Sequence, residues 1–173
     1  MAVLPILVYP NPLLKAVCAP VEEITEEILS FIADLTETME NAPGCVGIAA
    51  PQVGVLKRII VVDASRNPKV QSRHGRQVLI NPVIERQEGE VMGREGCLSL
   101  PHLTANVKRA QVISVRALLP DGGQIQLEAA DFEARVILHE SDHLDGILFL
   151  DRVSSLKTDV FRRKTYVPGT ARQ

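Results

Sequence analysis

The stretch DFEARVILHESDHLDG, residues 131–146, decides the fold prediction. It contains no proline and no internal glycine, and it ends at Gly146, a residue suited to the C-terminus of a helix. We therefore predict a helix over Asp131–Asp145. Positions 139–143 of this helix read His-Glu-x-x-His. Residues four apart lie on one face of a helix, so the two imidazoles can reach one metal ion with the glutamate beside it.

A helix can also carry two histidines without a metal, if neighbouring groups satisfy both rings. The pattern is typical of hydrolytic metal sites, so we predict that His139 and His143 are ligands and that Glu140 is an acid/base group. A catalytic site of this kind needs three protein ligands and one open position. No histidine follows residue 143, and the acidic residues there stand at unsuitable spacings: Asp145, Asp151 and Asp159. The third ligand must come from upstream.

The best upstream candidate is Cys97, which follows a glycine in the stretch Arg94–Ser99. A thiolate is a good ligand for a borderline or soft divalent metal, but a free cysteine is as often a small buried apolar residue. The local sequence leaves both interpretations open. Cys18 has no polar neighbours and is predicted to be structural. Of the other histidines, His74 is expected on the surface and His102 at the rim of the site.

Other segments indicate the fold class. Apolar residues at helical spacing over Val21–Met39, with Thr25 as a cap, predict an N-terminal amphipathic helix. Asp63–Arg76 is expected to be an exposed loop, and a turn at 120–123 to close a hairpin. The order of elements predicts an α+β fold with mixed, largely antiparallel sheets packed around a central helix that carries HExxH. Predicted strands are Arg58–Asp63, Gln77–Ile80, Val83–Gln87, Glu90–Gly93, Val112–Leu119 and Gln124–Glu128.

Composition limits the function classes. A chain of 173 residues with 46% hydrophobic content suits one domain, residues 1–173. The net charge of −2 and pI near 6.1 give no general reason to expect DNA or membrane binding. Pro5 and Pro10 interrupt the first apolar run, so neither a signal peptide nor a spanning helix is predicted, and a cytoplasmic or organellar location is expected. An odd count of three cysteines indicates reduced thiols.

Three segments together resemble one family, the peptide deformylases. Its signatures are a Gly-x-Gly-x-Ala-Ala-x-Gln stretch, a Glu-Gly-Cys-x-Ser stretch and a His-Glu-x-x-His helix. Here they read CVGIAAPQ at 45–52, EGCLS at 95–99 and HESDH at 139–143. The resemblance extends from LVYPNPLLK at residues 7–15 to about Leu150. This sequence departs from the family pattern at Cys45, where the family has glycine, and at Leu138, where glutamine is common.

The resemblance implies a metal held by three ligands, namely Cys97, His139 and His143. It also implies that Glu140 exchanges protons while the side-chain amide of Gln52 and the backbone N–H of Leu98 bind the developing oxyanion. Zinc, iron(II), nickel or cobalt suits such a donor set, and the spacing does not select among them. The resemblance implies iron(II) as the physiological metal.

The implied substrate is the N-formyl-methionine at the start of newly made polypeptides, and the implied products are formate and a free amino terminus. The peptide is expected to bind as an added β-strand, with main-chain hydrogen bonds from Val46 and Gly47. Phe132 and Val136 could line a methionine pocket or belong to the core. The side chain of Cys45, at a position where the family has glycine, is expected to narrow the cleft that binds the peptide. As a further hypothesis, Arg109 and Asp142 pair to orient the site.

The segment 152–173 carries six cationic side chains against one acidic side chain, a net charge of +5. A solvated, partly disordered tail is the simpler interpretation, and docking on ribosomal RNA near emerging chains is the alternative. Two other functions compete with deformylation. One is an HExxH metallopeptidase, disfavoured because no third ligand follows the helix. The other is a catalytically silent peptide-binding homologue, disfavoured because every implied site residue is present.

Overall fold

The computed structural model describes residues 2–71 and 74–163. Within these ranges there are two α-helices, α1 (Glu26–Asn41) and α2 (Asp131–Leu144). The strands are β1 (Gly47–Ala49), β2 (Ile59–Val62), β3 (Gln77–Glu88), β4 (Val91–Cys97), β5 (Leu100–Arg109), β6 (Val112–Leu118), β7 (Gln124–Ala130) and β8 (Val160–Arg162). Short 3-10 segments lie at Pro12–Lys15, Ala50–Val53, Ala64–Arg66 and Phe149–Arg152.

The strands form two antiparallel sheets. The larger sheet has the order β1-β2-β3-β6-β7 and the smaller one β4-β5-β8. Parallel pairing in the described ranges is limited to an isolated bridge between Ala19 and Lys57. The predicted α+β class with antiparallel sheets is therefore confirmed, and the predicted hairpin joins β6 to β7. Among the described residues, no helix combines the length and apolar character needed to cross a membrane.

Helix α1 begins where the chain supplies a cap. The side-chain oxygen of Thr25 accepts a hydrogen bond from the backbone N–H of Ile28, and Glu26 and Glu27 occupy the first turn. Leu35 and Met39 are fully buried on its inner face. They pack against a cluster that includes strands β1 and β2, and this places the helix on the outside of that part of the sheet.

Helix α2 packs against β1 and β2 through buried residues that include Ala134, Ile137 and Leu144. Its end is fixed by Gly146, which has a φ of +72°. A Cβ at this position would lie 2.4 Å from the carbonyl oxygen of Lys15, so only glycine fits both the backbone angle and the close approach. Burial and a defined terminus hold the 139–143 stretch rigidly beside the β1 strand.

Some segments differ from the sequence predictions. Gln77–Ile80 and Val83–Gln87 form one strand, β3, which bends at irregularities in its pairing with β6. Strands β1, β5 and β8 were not predicted. The last of these lies in the basic segment, so the disorder expected there is not found up to residue 163, although no residue of 152–163 is buried. Residues 164–173 lie outside the described residues.

His74 was expected to be a solvated surface residue, and that prediction is wrong. Its Nδ1 lies 2.5 Å from a carboxylate oxygen of Glu133, a buried residue at the start of α2. The side chain of His74 is 24% exposed. The 63–76 segment is therefore attached to α2 through this contact, although five of its other described residues are exposed.

Candidate metal centre

The donor atoms of Cys97, His139 and His143 all lie within 4.8 Å of one another. The Sγ of Cys97 is 3.4 Å from the Nε2 of His143. With bonds of about 2.3 Å to sulfur and about 2.0 Å to nitrogen, two tetrahedral ligands of one metal lie about 3.5 Å apart. The observed spacing and the sulfur–nitrogen donor set therefore fit a divalent metal ion. β4 ends at residue 97, and the side chain of Cys97 there reaches His143 on α2.

The imidazole of His139 is oriented by two neighbours. Its Nδ1 lies 2.8 Å from a carboxylate oxygen of Glu95, so the other ring nitrogen faces the donor cluster. The ring also stacks on Phe149 at a centroid distance of 6.1 Å. Burial alone would lower the pKa of His139, but hydrogen bonds with Cys97 and Glu95 outweigh it and raise the pKa. No pattern in the sequence indicated this role for Glu95.

The pKa of His143 is shifted in the direction opposite to that of His139. It is 1% exposed, and its Nδ1 has no hydrogen-bond partner among the described residues. Burial, followed by the charge of His139, holds the pKa of His143 well below its usual range. A neutral imidazole is the form that binds metal ions, so burial favours the form of His143 that can act as a ligand.

Glu140 lies beside both imidazoles without bonding to either. One carboxylate oxygen is 3.9 Å from the Nε2 of His139 and 3.9 Å from the Nε2 of His143. The other oxygen is buried and has no partner within the described ranges. Burial raises the pKa of Glu140 to about 7. A carboxylate with this pKa can both accept and release a proton near neutral pH.

The Gln52 side chain is fixed beside Cys97. Its Oε1 accepts from the backbone N–H of Ala49 at 2.9 Å, so its Nε2 is directed toward Cys97 Sγ, at 3.4 Å, and Ser99 Oγ, at 3.1 Å. Gln52 is 1% exposed. Leu98 follows the cysteine at the end of β4 and lines the same cleft. An oriented amide beside the donor cluster is suited to binding an oxyanion.

A chain of buried ion pairs supports the site from behind. Glu95 accepts hydrogen bonds from Arg109 at 2.9 Å through both oxygens and from Arg135 at 2.7 Å. Arg109 also pairs with Asp142, which confirms the predicted contact, and Asp142 accepts two bonds from Arg152. Burial would raise the pKa of Glu95, but hydrogen bonds from His139 and Arg109 hold it well below its usual range. Glu95 is therefore a carboxylate at every physiological pH.

The cluster opens into a cleft of about 420 Å³. Val46 and Gly47 line one side, and Gly96 and Leu98 line the other. Phe132 and Val136 also line the cleft while packing against the core. Among the described strands, β1 and β4 each have only one hydrogen-bonded neighbour. The cleft therefore lies between two free sheet edges.

Other candidates from the sequence lie elsewhere. His102 was expected at the rim, but it is exposed on β5 and does not line the cleft, so that prediction is wrong. Cys18 is buried in the core. The downstream acids contact other partners: Asp145 binds Arg58, Asp151 binds Lys15, and Asp159 accepts from the backbone N–H of Ser155.

Comparison with known proteins agrees with this geometry. A sequence model of the family described as polypeptide deformylase matches residues 3–159. A peptide deformylase of Thermodesulfovibrio yellowstonii is 48% identical over 164 residues, which cover 95% of this chain and 97% of that protein. The crystal structure of a peptide deformylase from Legionella pneumophila matches with a TM-score of 0.82 and 36% identity, covering 90% of this chain and 89% of that one.

A class I type b peptide deformylase from Acinetobacter baumannii, crystallised with Met-Ala-Ser bound, is similar to the same degree. Its TM-score is 0.82 at 34% identity, and the match covers 88% of this chain and 99% of that one. The relatives are matched over nearly their whole length, in sequence and in structure alike. The chain belongs to the polypeptide deformylase family.

Proposed function

We propose that this protein is a metal-dependent hydrolase that removes the formyl group from N-formyl-methionine at the amino terminus of newly made polypeptides. The observation that carries the proposal is the position of Glu140, 3.9 Å from the Nε2 atoms of two histidines that converge with Cys97. That gap is too long for a hydrogen bond, and the other carboxylate oxygen has no partner among the described residues, so the carboxylate is available to take a proton from water at the proposed metal site. The products are formate and a free amino terminus.

Cys97, His139 and His143 are the proposed metal ligands. A divalent ion held there would supply Lewis-acid chemistry, which polarises a carbonyl and makes water nucleophilic at neutral pH. We propose iron(II) as the metal in the cell, with zinc, nickel and cobalt as alternatives that the same donors accept. Glu95 holds the ring of His139 in place through the 2.8 Å contact to Nδ1.

The other residues have separate tasks in the proposed reaction. Glu140 takes a proton from the attacking water and delivers it to the departing amine, for which its pKa of about 7 is well matched. As the formyl carbon becomes tetrahedral, its oxygen gains negative charge. The Nε2 of Gln52 and the backbone N–H of Leu98 donate hydrogen bonds to that oxygen, and the Ala49 contact keeps the amide correctly turned.

The peptide is proposed to bind as an extended strand along the free edge of β1. The carbonyl of Val46 accepts from the backbone N–H of Asp63, at 2.7 Å, so the alternation of a strand directs the Gly47 carbonyl toward the cleft. Gly47 is the proposed main-chain contact, since the carbonyl of Val46 is already bonded to Asp63 and faces β2. Phe132 and Val136 are the proposed walls of the methionine pocket. The Acinetobacter relative was crystallised with Met-Ala-Ser, a peptide that begins with methionine.

The remaining parts of the proposal concern the whole chain. Residues 1–173 act as one deformylase-like domain, with the sheets arranged around α2 as the central helix and α1 as an amphipathic helix on its outside. The protein works in the bacterial cytoplasm or in an organelle, where chains begin with formyl-methionine. Docking of the basic segment 152–173 on the ribosome is a further proposal. Unchanged ribosome co-sedimentation after deletion of residues 152–173 would count against it.

An assay with formyl-Met-Ala-Ser tests the main proposal. We expect formate release by protein reconstituted with iron(II) under anaerobic conditions, and loss of activity after metal removal. Glu140→Ala should lower kcat by about 10²- to 10⁴-fold while the metal content stays unchanged. Casein assayed in parallel separates this function from that of an endopeptidase. A metal-loaded protein that releases no formate from any formyl-methionine peptide would leave only the silent homologue.

A further inference from the structure

The cleft contains more positive than negative charge. Two acids and four arginines line it: Glu95, Glu140, Arg66, Arg94, Arg135 and Arg163. Arg135 is neutralised by Glu95, at 2.7 Å. Arg66 is held by main-chain oxygens, since its guanidinium donates to the carbonyls of Cys45 and Glu40. Within residues 2–71 and 74–163, neither Arg94 nor Arg163 forms an ion pair with a carboxylate.

Strand β8 positions both of these arginines. It pairs with β5 so that Phe161 lies opposite Thr104, and the backbone N–H of Arg163 continues the ladder by donating to the carbonyl of His102 at 2.9 Å. The guanidinium of Arg94 lies over the Phe161 ring at 3.8 Å from its centroid. Two further bonds, to Asn106 at 3.0 Å and Thr104 at 3.4 Å, hold its Nε and Nη1. One Nη group of Arg94 has no bond among the described residues.

The guanidinium of Arg163 rests directly on the main chain of Gly96. A Cβ at position 96 would lie 2.0 Å from Nη2 of Arg163, so the glycine is what admits the cation to this place. Gly96 immediately precedes the proposed ligand Cys97. Arg163 therefore stands beside the free edge of β4, one residue from the metal centre, and faces the same cleft as the proposed peptide.

We propose that Arg94 and Arg163 form a basic subsite that selects polypeptides with a carboxylate side chain within the first residues after the formyl-methionine. This inference rests on the proposed deformylase function and specifies its substrate class. Arginine presents a planar set of donors that matches a carboxylate, and an unpaired arginine in a concave site attracts acidic groups. Side chains alternate along an extended peptide, so the second and third residues reach different walls and must be tested separately.

The test compares peptides that differ in charge alone. We would measure kcat/KM for formyl-Met-Xaa-Ala and formyl-Met-Ala-Xaa, with Xaa as Glu, Gln or Lys, at low and at high salt. At one of the two positions the wild type should favour Glu over Lys by about tenfold at low salt, mainly through KM, and less at high salt. In the double variant R94Q/R163Q this ratio should fall below about twofold, whereas R163K should keep most of it.

Arg162→Gln is the matched control, because this exposed neighbour on β8 carries the same charge and does not line the cleft. It should leave the Glu-to-Lys ratio unchanged. Equal kcat/KM for the Glu and Lys peptides in the wild type would overturn the subsite. Loss of the Glu preference in Arg162→Gln would also overturn it, because the preference would then come from the overall positive charge of β8 and not from Arg94 and Arg163. The Gln peptides distinguish failure of the proposed subsite from failure of the proposed deformylase function. If they are not deformylated, the proposed function itself fails.

Discussion

The β1 wall of the cleft, residues 45–49, and the β4 wall, residues 94–98, place groups beside the same metal centre by different means. The β1 wall is uncharged at neutral pH and approaches α2 very closely. A Cβ at Gly47 would lie 2.9 Å from Cγ of Glu140 and 3.0 Å from Cγ1 of Val136. The β4 wall instead carries Glu95, which is 6% exposed and receives hydrogen bonds from two arginines and a histidine.

The two walls therefore fix different properties of the site: the β1 wall fixes the position of a side chain, and the β4 wall fixes the orientation of one. Close packing on the β1 side fixes the position of the proposed acid/base group, because α2 can approach only where no side chain intervenes. Buried ion pairs on the β4 side fix the orientation of the proposed ligand His139 through Glu95. A substitution on the β4 wall should therefore reduce folding stability and metal binding first. A substitution on the β1 wall should reduce catalysis first.

The largest effect is expected for Glu95→Gln. The change keeps the shape of the side chain but leaves Arg135 without its buried counter-charge and Arg109 with Asp142 as its remaining carboxylate partner. Breaking a buried ion pair on one side typically costs about 3 to 5 kcal/mol of unfolding free energy. Loss of the contact to His139 should also weaken metal binding by about 10- to 100-fold. Urea unfolding of the metal-free protein and equilibrium dialysis against zinc measure the two effects separately.

Arg152→Ala is the control at the far end of the same chain of ion pairs. Its side chain is 45% exposed, and it binds Asp142, which keeps Arg109 as a second partner. A partly exposed pair of this kind contributes about 0 to 1 kcal/mol. Zinc affinity should not change. Equal losses of unfolding free energy in Glu95→Gln and Arg152→Ala would refute the claim that the buried ion pairs of Glu95 stabilise the β4 wall more than the partly exposed pair of Arg152 does.

Gly47→Ala should disrupt the packing of β1 against α2 and reduce the unfolding free energy less than Glu95→Gln does. The new methyl group must push the Glu140 and Val136 side chains apart, which costs about 1 to 3 kcal/mol in a packed interior. Because a displacement of about 1 Å in a catalytic group can cost about 10² in rate, kcat for formyl-Met-Ala-Ser should fall roughly 100-fold. Zinc affinity should stay near that of the wild type.

The double variant Gly47→Ala/Val136→Ala distinguishes the two contacts. Removing the Val136 methyl groups relieves one clash, so stability should recover in part. The contact with Glu140 remains, and kcat should stay low. Full recovery of kcat would mean that Gly47 positions the helix only through Val136, and that its contact with Glu140 has no separate part in catalysis.

The two walls were not equally predictable from the sequence. The His-Glu-x-x-His spacing is local, since one helical turn brings the two rings together, and the sequence was sufficient to propose them as a pair. Cys97 had no such local sign and was assigned only through resemblance. The role of Glu95 depends on Arg109, Arg135 and His139, which are 14, 40 and 44 residues away in the chain. No periodic pattern encodes contacts of that length.

Strand β8 and the close packing of Gly47 against α2 were not predicted, for related physical reasons. Three residues are too few for an alternating pattern, and a net charge of +5 over 152–173 favoured an exposed tail. Pairing with β5 overrides that local preference. A glycine in a strand suggests a close approach of some kind, but the neighbour that requires it comes from α2, about 90 residues further along the chain. Sequence patterns identify such positions without identifying their partners.

The smallest effect concerns the charge of the β1 wall. Cys45 is 8% exposed and donates from its thiol to the carbonyl of Gly47, at 3.1 Å. Burial, together with the charge of Glu140, raises the pKa of the Cys45 thiol from 9.0 to about 12. Folding thus favours the protonated thiol, and this contribution to stability is complete below pH 9 and is lost as the pH rises from 9 to 12. The wall should stay neutral at physiological pH.

Cys45→Ala tests this through a difference between pH profiles. The unfolding free energy of the wild type should fall more steeply than that of the variant between pH 9 and pH 11, by up to about 1.4 kcal/mol per pH unit. Below pH 8 the difference between the two proteins should be constant. Iodoacetamide should modify Cys45 at pH 8 far more slowly in the folded protein than in urea. Parallel profiles from pH 7 to pH 11 would show that the thiol ionises normally, and that the β1 wall can acquire a charge.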